Sequence, residues 1–322
     1  MPSVTTGNVP PLPPDSSPMP LPPFIQTFLA QPRDMVIEPL CTLLEGYIHP
    51  DGNTPMQVRE RLAAVLHSTS DEEWADYLAY LAILGADWGR NDAHAVGREM
   101  TDALIQPLLN EDSSLEGVEH LDAALATGRR VLLVGNHLSY VDPTAVWALL
   151  GREGRQDLGD RLTAVAGPKV YEGEPMRLMG ASANHAIKVA QSSEVTDSGL
   201  SPREMVRLAR SSMRLAGELM DEGRVVLLYP EGTRSRTGAL GPFLKAVGRW
   251  LTLDGVLLVP LGLTGTDRIY TLEDDRLRRT TVRARFGPKI DPTEHNRNEV
   301  VAAAREAVRA LLPEEMKGVE TA

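Results

Sequence analysis

Two uninterrupted apolar runs, Val131-Leu132-Leu133-Val134 and Val225-Val226-Leu227-Leu228-Tyr229, each break directly into a polar loop. A short continuous apolar run bounded by loop signals reads as a strand buried on both faces, which calls for helices above and below a sheet. The first run opens into Asn136-His137-Leu138-Ser139-Tyr140-Val141-Asp142-Pro143, the second into Pro230-Glu231-Gly232-Thr233-Arg234-Ser235-Arg236. Two buried strands that end this way suggest one site at one edge of the sheet. One loop offers a proton-transfer pair. The other offers a carboxylate and two guanidinium groups suited to holding an anion, so the pair points to chemistry on a phosphorylated substrate.

The rest of the chain fits that frame. From about residue 126, apolar strands at 130–135, 162–167, 225–229, 256–263 and 281–286 alternate with helices, the signature of an α/β fold with a mixed central sheet flanked by helices. The clearest helix opens at Ser201-Pro202-Arg203-Glu204, a capping box with proline at the first position, and stops at Gly223. Met205, Leu208, Ser212, Leu215 and Leu219 form its inward face, and Arg203, Arg207, Arg210 and Arg214 the opposite one, either a solvated surface or a contact for lipid headgroups. A last helix is expected over 298–312. Residues 25–125 read as a small helical domain before the α/β domain of 126–322, with a capping box at Ser70-Asp71-Glu72-Glu73 and a second helix from Asn91-Asp92 through Met100, Leu104 and Leu108. Residues 1–24, with three Pro-Pro pairs, read as a disordered or extended arm.

Composition narrows the function classes. A net charge of −11 over 322 residues argues against nucleic acid as a partner, because phosphate backbones need a basic footprint. It equally leaves any membrane contact local. Cys41 is the single cysteine, so neither an internal disulfide nor a thiol zinc site is available, which fits a reducing cytoplasm. His49, His67, His94, His120, His185 and His295 lack metal-ligand spacing, and no metal is expected. No apolar run reaches the ~20 residues that cross a bilayer, and the N-terminus lacks the form of a secretory signal. The expectation is a cytoplasmic chain, with peripheral contact at the inner face of the membrane left open.

Within the first loop two readings stand side by side. Asp142-Pro143 is a good helix start, and Asp142 could simply cap that helix. Alternatively its carboxylate binds one nitrogen of His137, fixing the tautomer and stabilising imidazolium, while the other nitrogen takes a proton from an attacking hydroxyl. In the second loop Arg234 and Arg236 could bind phosphate by bidentate forks, and backbone N–H groups near Gly232 could stabilise an oxyanion. Cys41 lies far from both loops, and Ser139 reads as a turn residue, so direct attack by the substrate hydroxyl is the simpler mechanism.

These residues resemble a known family. Asn136-His137-Leu138-Ser139-Tyr140-Val141-Asp142 looks like the His-x4-Asp block of the phospholipid and glycerol acyltransferases, and Tyr229-Pro230-Glu231-Gly232-Thr233-Arg234-Ser235-Arg236 looks like their Pro-Glu-Gly-Thr-Arg block. Ala166-Gly167-Pro168-Lys169 and Leu258-Val259-Pro260-Leu261-Gly262-Leu263 resemble two weaker blocks, so the likeness covers roughly 125–290. It implies transfer of a fatty acyl group from acyl-CoA or acyl carrier protein, as co-substrate and without a cofactor, to a hydroxyl of glycerol-3-phosphate or 1-acylglycerol-3-phosphate. By that likeness His137 is the base, Asp142 its partner, and Glu231 positions the acceptor. Lys169, Arg234 and Arg236 bind the acceptor phosphate, with Gly232 and Thr233 in the same substrate-binding set. Many relatives carry an arginine near the end of a middle strand where this chain has Ala186-Ile187-Lys188-Val189, so Lys188 either substitutes or that contact is absent. Two other readings remain: an O- or N-acyltransferase for a non-phosphorylated lipid or metabolite, and an inactive lipid-binding relative. The basic cluster Arg276, Arg278, Arg279, Arg283 and Arg285 reads as either a solvated strand edge or a docking surface.

Overall fold

A computed structural model describes residues 31–171, 175–190, 201–271, 274 and 276–318. The arm expected at 1–24 lies outside the described residues. Helices α1 (Arg33–Gly46), α2 (Thr54–Ser68) and α3 (Asp71–Ile83) lead to the short strand β1 (Gly89–Asn91). Next come α4 (Ala95–Leu108), β2 (Ser114–Glu116), α5 (Val118–Leu125), β3 (Arg130–Gly135), α6 (Asp142–Arg152), α7 (Gln156–Gly159) and β4 (Leu162–Ala166). Then α8 (Pro175–Ala183), β5 (His185–Lys188), α9 (Pro202–Asp221) and β6 (Val225–Leu228) follow. The chain continues through α10 (Gly248–Leu251), β7 (Val256–Thr264), α11 (Thr266–Ile269), β8 (Arg283–Phe286) and α12 (Arg297–Ala310).

Among the described residues, eight strands form one mixed sheet in the order β1-β5-β4-β6-β3-β7-β8-β2. Strand β3 lies between β6 and β7, parallel to both, with Val131 beside Val225 and Val134 beside Leu228. That register positions the candidate site, because it ends β3 and β6 side by side and releases their loops from the same edge. Strand β4 is parallel to β6 as well, so its exit shares that edge.

Side-chain alternation splits the central strands between two cores. Val131, Leu133, Val225, Leu227, Val259 and Leu261 pack with α1 to α6 on one face. Leu132, Val134, Val226, Leu228, Val256 and Leu258 pack with α9 and α12 on the other. Leu132 and Leu133 are both 0% exposed, and truncating either to alanine costs about 2–5 kcal/mol. This two-sided burial is why the runs carry no polar alternation.

Capping chemistry sets the helix starts. Both expected capping boxes form: Ser70 with Glu73, and Ser201 with Glu204. Gly223 takes φ +88° just beyond α9, a left-handed turn that glycine makes at no steric cost. The second helix of the N-terminal region begins later than expected, at Ala95, because His94 caps it by accepting from the Val96 N–H. Strands β1 and β2 fall within 25–125, where helices alone were expected. Each is three residues long, too short for any periodicity to show. Among the described residues no helix is long and apolar enough to cross a membrane.

Candidate active site

Beyond Gly135, the last residue of β3 paired with β7, the Asn136 side chain takes over the pairing. It donates from Nδ2 to the Leu263 carbonyl (3.0 Å) and accepts from the Leu263 N–H at Oδ1 (2.8 Å). At 1% exposure it is a buried amide used on both sides, and it anchors the loop that carries His137.

Asp142 begins α6 but does not cap it. The residue before the helix is Val141, and no side chain caps this end. Its carboxylate, 0% exposed, instead folds back under the loop. Oδ2 accepts from the Leu138 N–H (2.8 Å) and the Ser139 N–H (3.0 Å), Oδ1 also accepts from Ser139 (3.0 Å), and His137 Nδ1 lies 2.8 Å from Oδ2. Three donors converge on one buried carboxylate, which keeps it an acceptor. His137 therefore carries its proton on Nδ1 and leaves Nε2 as the basic nitrogen. Of the two readings of Asp142, this geometry is the second.

The second loop closes over the first. The His137 N–H donates to Glu231 Oε1 (2.8 Å), and the Ser235 N–H donates to the His137 carbonyl (2.8 Å). Tyr229 stacks beneath the imidazole with ring centroids 4.3 Å apart and planes 17° from parallel. The other oxygen of Glu231 accepts from the Gly241 N–H (2.8 Å), so this carboxylate joins three stretches of chain. Burial pushes its pKa up, against the opposing pull of the His137 and Gly241 amides. Tyr229, also buried, has its phenol raised well above the usual range by desolvation and by the nearby Asp142 charge.

Arg234 lies with its guanidinium carbon 3.8 Å from the centre of the Tyr140 ring. Among the described residues it has no carboxylate partner, unlike Arg98, Arg130 or Arg155, which each pair with an aspartate. Thr233 and Arg236 are exposed on the same loop. Gly232 takes φ +70°, and a Cβ there would meet Leu244 Cδ1 at 2.5 Å. Its N–H closes a turn to the Tyr229 carbonyl (3.1 Å), so the oxyanion role expected near Gly232 does not fall to its own amide. Lys169 is exposed on the turn after β4, at the shared edge. Lys188 points elsewhere: its ammonium donates to the Gly85 carbonyl and sits over the rings of Trp88 and Tyr171, at 4.9 and 5.4 Å. Ser139 is 0% exposed with its hydroxyl bonded to the Tyr270 carbonyl (3.4 Å), and Cys41 is buried in α1.

The basic surfaces differ from each other. On α9, Arg203, Arg207, Arg210 and Arg214 are all exposed. In the later cluster, Arg278 pairs with Asp274, Arg283 with Asp112 and Arg285 with Glu116, so much of its charge is neutralised in place. Sequence reasoning missed the work of Asn136, Tyr229 and Tyr140. The one available signal was a polar or aromatic residue placed where an apolar run meets a loop.

Part of the chain is similar to known proteins. Residues 114–264 match the family model described as Acyltransferase. The chloroplastic 1-acyl-sn-glycerol-3-phosphate acyltransferase LPAT1 of Arabidopsis thaliana is 25% identical over 240 residues, covering 70% of this chain and 59% of that protein. The corresponding BAT2 protein of Brassica napus is 27% identical over 180 residues, covering 55% and 43%. The chain thus spans less than two thirds of either relative. The crystal structure of PlsC from Thermotoga maritima, a 1-acyl-sn-glycerophosphate acyltransferase, overlaps 87% of this chain and 98% of its own at 17% identity, with a TM-score of 0.47. Both loops lie inside the segment that matches the Acyltransferase family model.

Proposed function

We propose that this chain moves a fatty acyl group from a thioester donor to the free hydroxyl of a 1-acylglycerol-3-phosphate, forming phosphatidate. The observation that carries the reading is His137, held by Asp142 through Nδ1 and by the second loop through its backbone, so that Nε2 alone is left to act. In the reaction the acceptor hydroxyl loses its proton to Nε2 as its oxygen attacks the thioester carbonyl. The tetrahedral adduct then collapses, the carbon–sulfur bond breaks, and the imidazolium returns the proton to the departing thiolate. Asp142 stabilises the imidazolium between those steps. A general base of this kind contributes roughly 10²–10⁴ in rate.

The buried Glu231 bonds backbone amides on both sides, so its part in positioning the acceptor is to hold the two loops in register. Arg234 supplies the charge for the acceptor phosphate, with Arg236 and Lys169 toward its outer rim. The choice of a 1-acylglycerol-3-phosphate over glycerol-3-phosphate follows the names of the relatives. The test is an acceptor panel with labelled acyl-CoA and, separately, acyl carrier protein. Turnover should be greatest with 1-acylglycerol-3-phosphate and vanish in His137→Ala. A preference for glycerol-3-phosphate or for a non-phosphorylated acceptor rejects the substrate assignment, and near wild-type turnover by His137→Ala rejects the base.

A further inference from the structure

The His137 amide is the end of a chain of bonds that starts in the last helix. Arg305 of α12 donates from Nε to the Gly241 carbonyl (3.1 Å), the Gly241 N–H donates to Glu231 Oε2 (2.8 Å), and Glu231 Oε1 accepts from the His137 N–H (2.8 Å). Both charged side chains in this chain are buried, Arg305 at 9% exposure and Glu231 at 8%. Arginine is seldom buried unless its donors are taken up, and a charged donor makes roughly twice the bond of a neutral one. The stretch 240–243 has a second tie to the C-terminal part of the chain. The Leu240 N–H donates to the Met316 carbonyl (2.8 Å), and Leu240 and Phe243 share a core with Val300, Ala304, Val308 and Leu312. Gly241 has no slack against Glu231, since a Cβ built on it would lie 2.8 Å from Oε2. Its φ is outside the left-handed region, so close approach, not backbone shape, calls for glycine there.

We propose that Arg305 is a positioning residue for His137: it fixes Gly241, Gly241 aims the Glu231 carboxylate, and that carboxylate sets the backbone from which the imidazole projects. Arg305 is assigned no contact with substrate, and it lies beyond both sequence blocks and beyond residues 114–264. The role rests on the base assigned to His137 above. A displacement of about an ångström at a reacting group can cost roughly 100-fold in rate, so loosening the tie acts on kcat and leaves the binding of either substrate largely as it was.

The experiment uses Arg305→Met in the full chain, which keeps length and bulk but removes the donors. Its kcat should fall roughly tenfold, with both KM values within about threefold of wild type. A second arm needs no turnover: by amide hydrogen exchange, residues 136–139 and 240–241 should open roughly tenfold more often than in wild type. Val308→Ala is the control for a merely structural role, being 0% exposed on the same helix but remote from this chain of bonds. It should lower the melting temperature yet leave kcat within about twofold and the exchange of 136–139 unchanged. Arg305→Lys, which can still donate to the Gly241 carbonyl, should recover part of both losses. Gly241→Ala, which presses directly on Oε2, should lower kcat at least as far as Arg305→Met. A folded Arg305→Met with kcat within about twofold of wild type, or with wild-type exchange at 136–139, overturns the proposal. Equal kcat losses in Arg305→Met and Val308→Ala overturn it as well. If Arg305→Met does not fold, Arg305→Lys and Gly241→Ala decide: lowered kcat with faster exchange at 136–139 supports the tie, and wild-type values in both overturn it. A wild type that acylates no acceptor, with exchange at 136–139 still raised by Arg305→Met, rejects the reaction and leaves the tie standing.

Discussion

Replacing Asp142 with asparagine separates what its shape does from what its charge does. Oδ2 is the busy oxygen, taking Leu138 N–H, Ser139 N–H and His137 Nδ1 within 2.8–3.0 Å. An asparagine with its carbonyl oxygen in that place keeps all three bonds, and with them the loop and the histidine tautomer. It loses only the contact from the Ser139 N–H to Oδ1, together with the negative charge. Opposite charges about 4 Å apart at an effective dielectric near 20 attract by about 4 kcal/mol. Imidazolium carries its full charge only once proton transfer is complete, so part of this is lost at the transition state, giving a fall in kcat of roughly 10²–10³. Both KM values should stay within about threefold, since neither substrate touches Asp142. The amide NH2 that then faces the Ser139 N–H, where an acceptor stood, should cost about 1–3 kcal/mol of stability. Initial rates of thiol release from acyl-CoA, paired with thermal unfolding by circular dichroism, measure both quantities. A folded Asp142→Asn enzyme with kcat within fivefold of wild type would refute the reasoning and leave Asp142 as a structural brace.

Further outcomes are expected at four places. In Glu231→Gln the amide NH2 must face a backbone N–H, so the loops separate slightly and kcat drops roughly 10- to 100-fold, read by initial rates. Because burial raises the Glu231 pKa, folding favours its protonated form. The stability of wild type relative to Glu231→Gln should therefore be greatest below about pH 4.3 and decline as pH rises through the higher folded value, as melting temperatures against pH would show. Tyr229 has a buried hydroxyl with no hydrogen-bond partner among the described residues, so Tyr229→Phe should keep kcat within twofold and stability equal or up to about 1 kcal/mol higher. A tenfold loss of kcat would give that hydroxyl a part in catalysis. Asp291 is held well below the usual carboxylate range by Arg129, and further by Thr293. It stabilises the fold above about pH 3.9 and loses that contribution as pH falls, so Asp291→Asn should flatten the acid limb of the stability curve. Finally, reversing Arg203, Arg207 and Arg210 to glutamate should weaken co-sedimentation with anionic vesicles, and unchanged binding would leave that face of α9 as solvated surface.

The central sheet was legible because burial on both faces leaves an unambiguous mark: five apolar runs became β3, β4, β6, β7 and β8 within a residue or two at most ends. Capping boxes at Ser70 and Ser201 were legible for a different reason, since two side chains at fixed spacing satisfy each other locally. Strands β1, β2 and β5 left no such mark. They are three or four residues long and take their partners from distant segments, as when Gly89 lies beside Lys188. The site divided along the same line. His137, Asp142, Glu231 and Arg234 announce themselves as polar residues leaving buried strands, but their connections do not. Nothing in a linear sequence shows that Glu231 bonds the amides of His137 and Gly241, or that Tyr140 meets both Arg234 and Arg177. Those contacts depend on which strands end side by side.

That dependence has a consequence for how the site is held. The backbone N–H and carbonyl of His137 both bond to the loop after β6, and its ring rests on Tyr229, the residue that ends that strand's apolar run. Position of the imidazole therefore follows the register of β6 against β3, not the first loop alone. A shift of one residue in β6 would turn Tyr229 from the histidine to the opposite face and carry Glu231 away from the His137 amide. Interior changes such as Val226→Ala shrink the core without altering register, so they should lower stability and spare kcat. Changes at Tyr229 or Glu231 that disturb the joint should do the reverse. The geometry of the candidate site is thus a property of two adjacent strand ends, and the polar residues of each loop are placed only in the presence of the other.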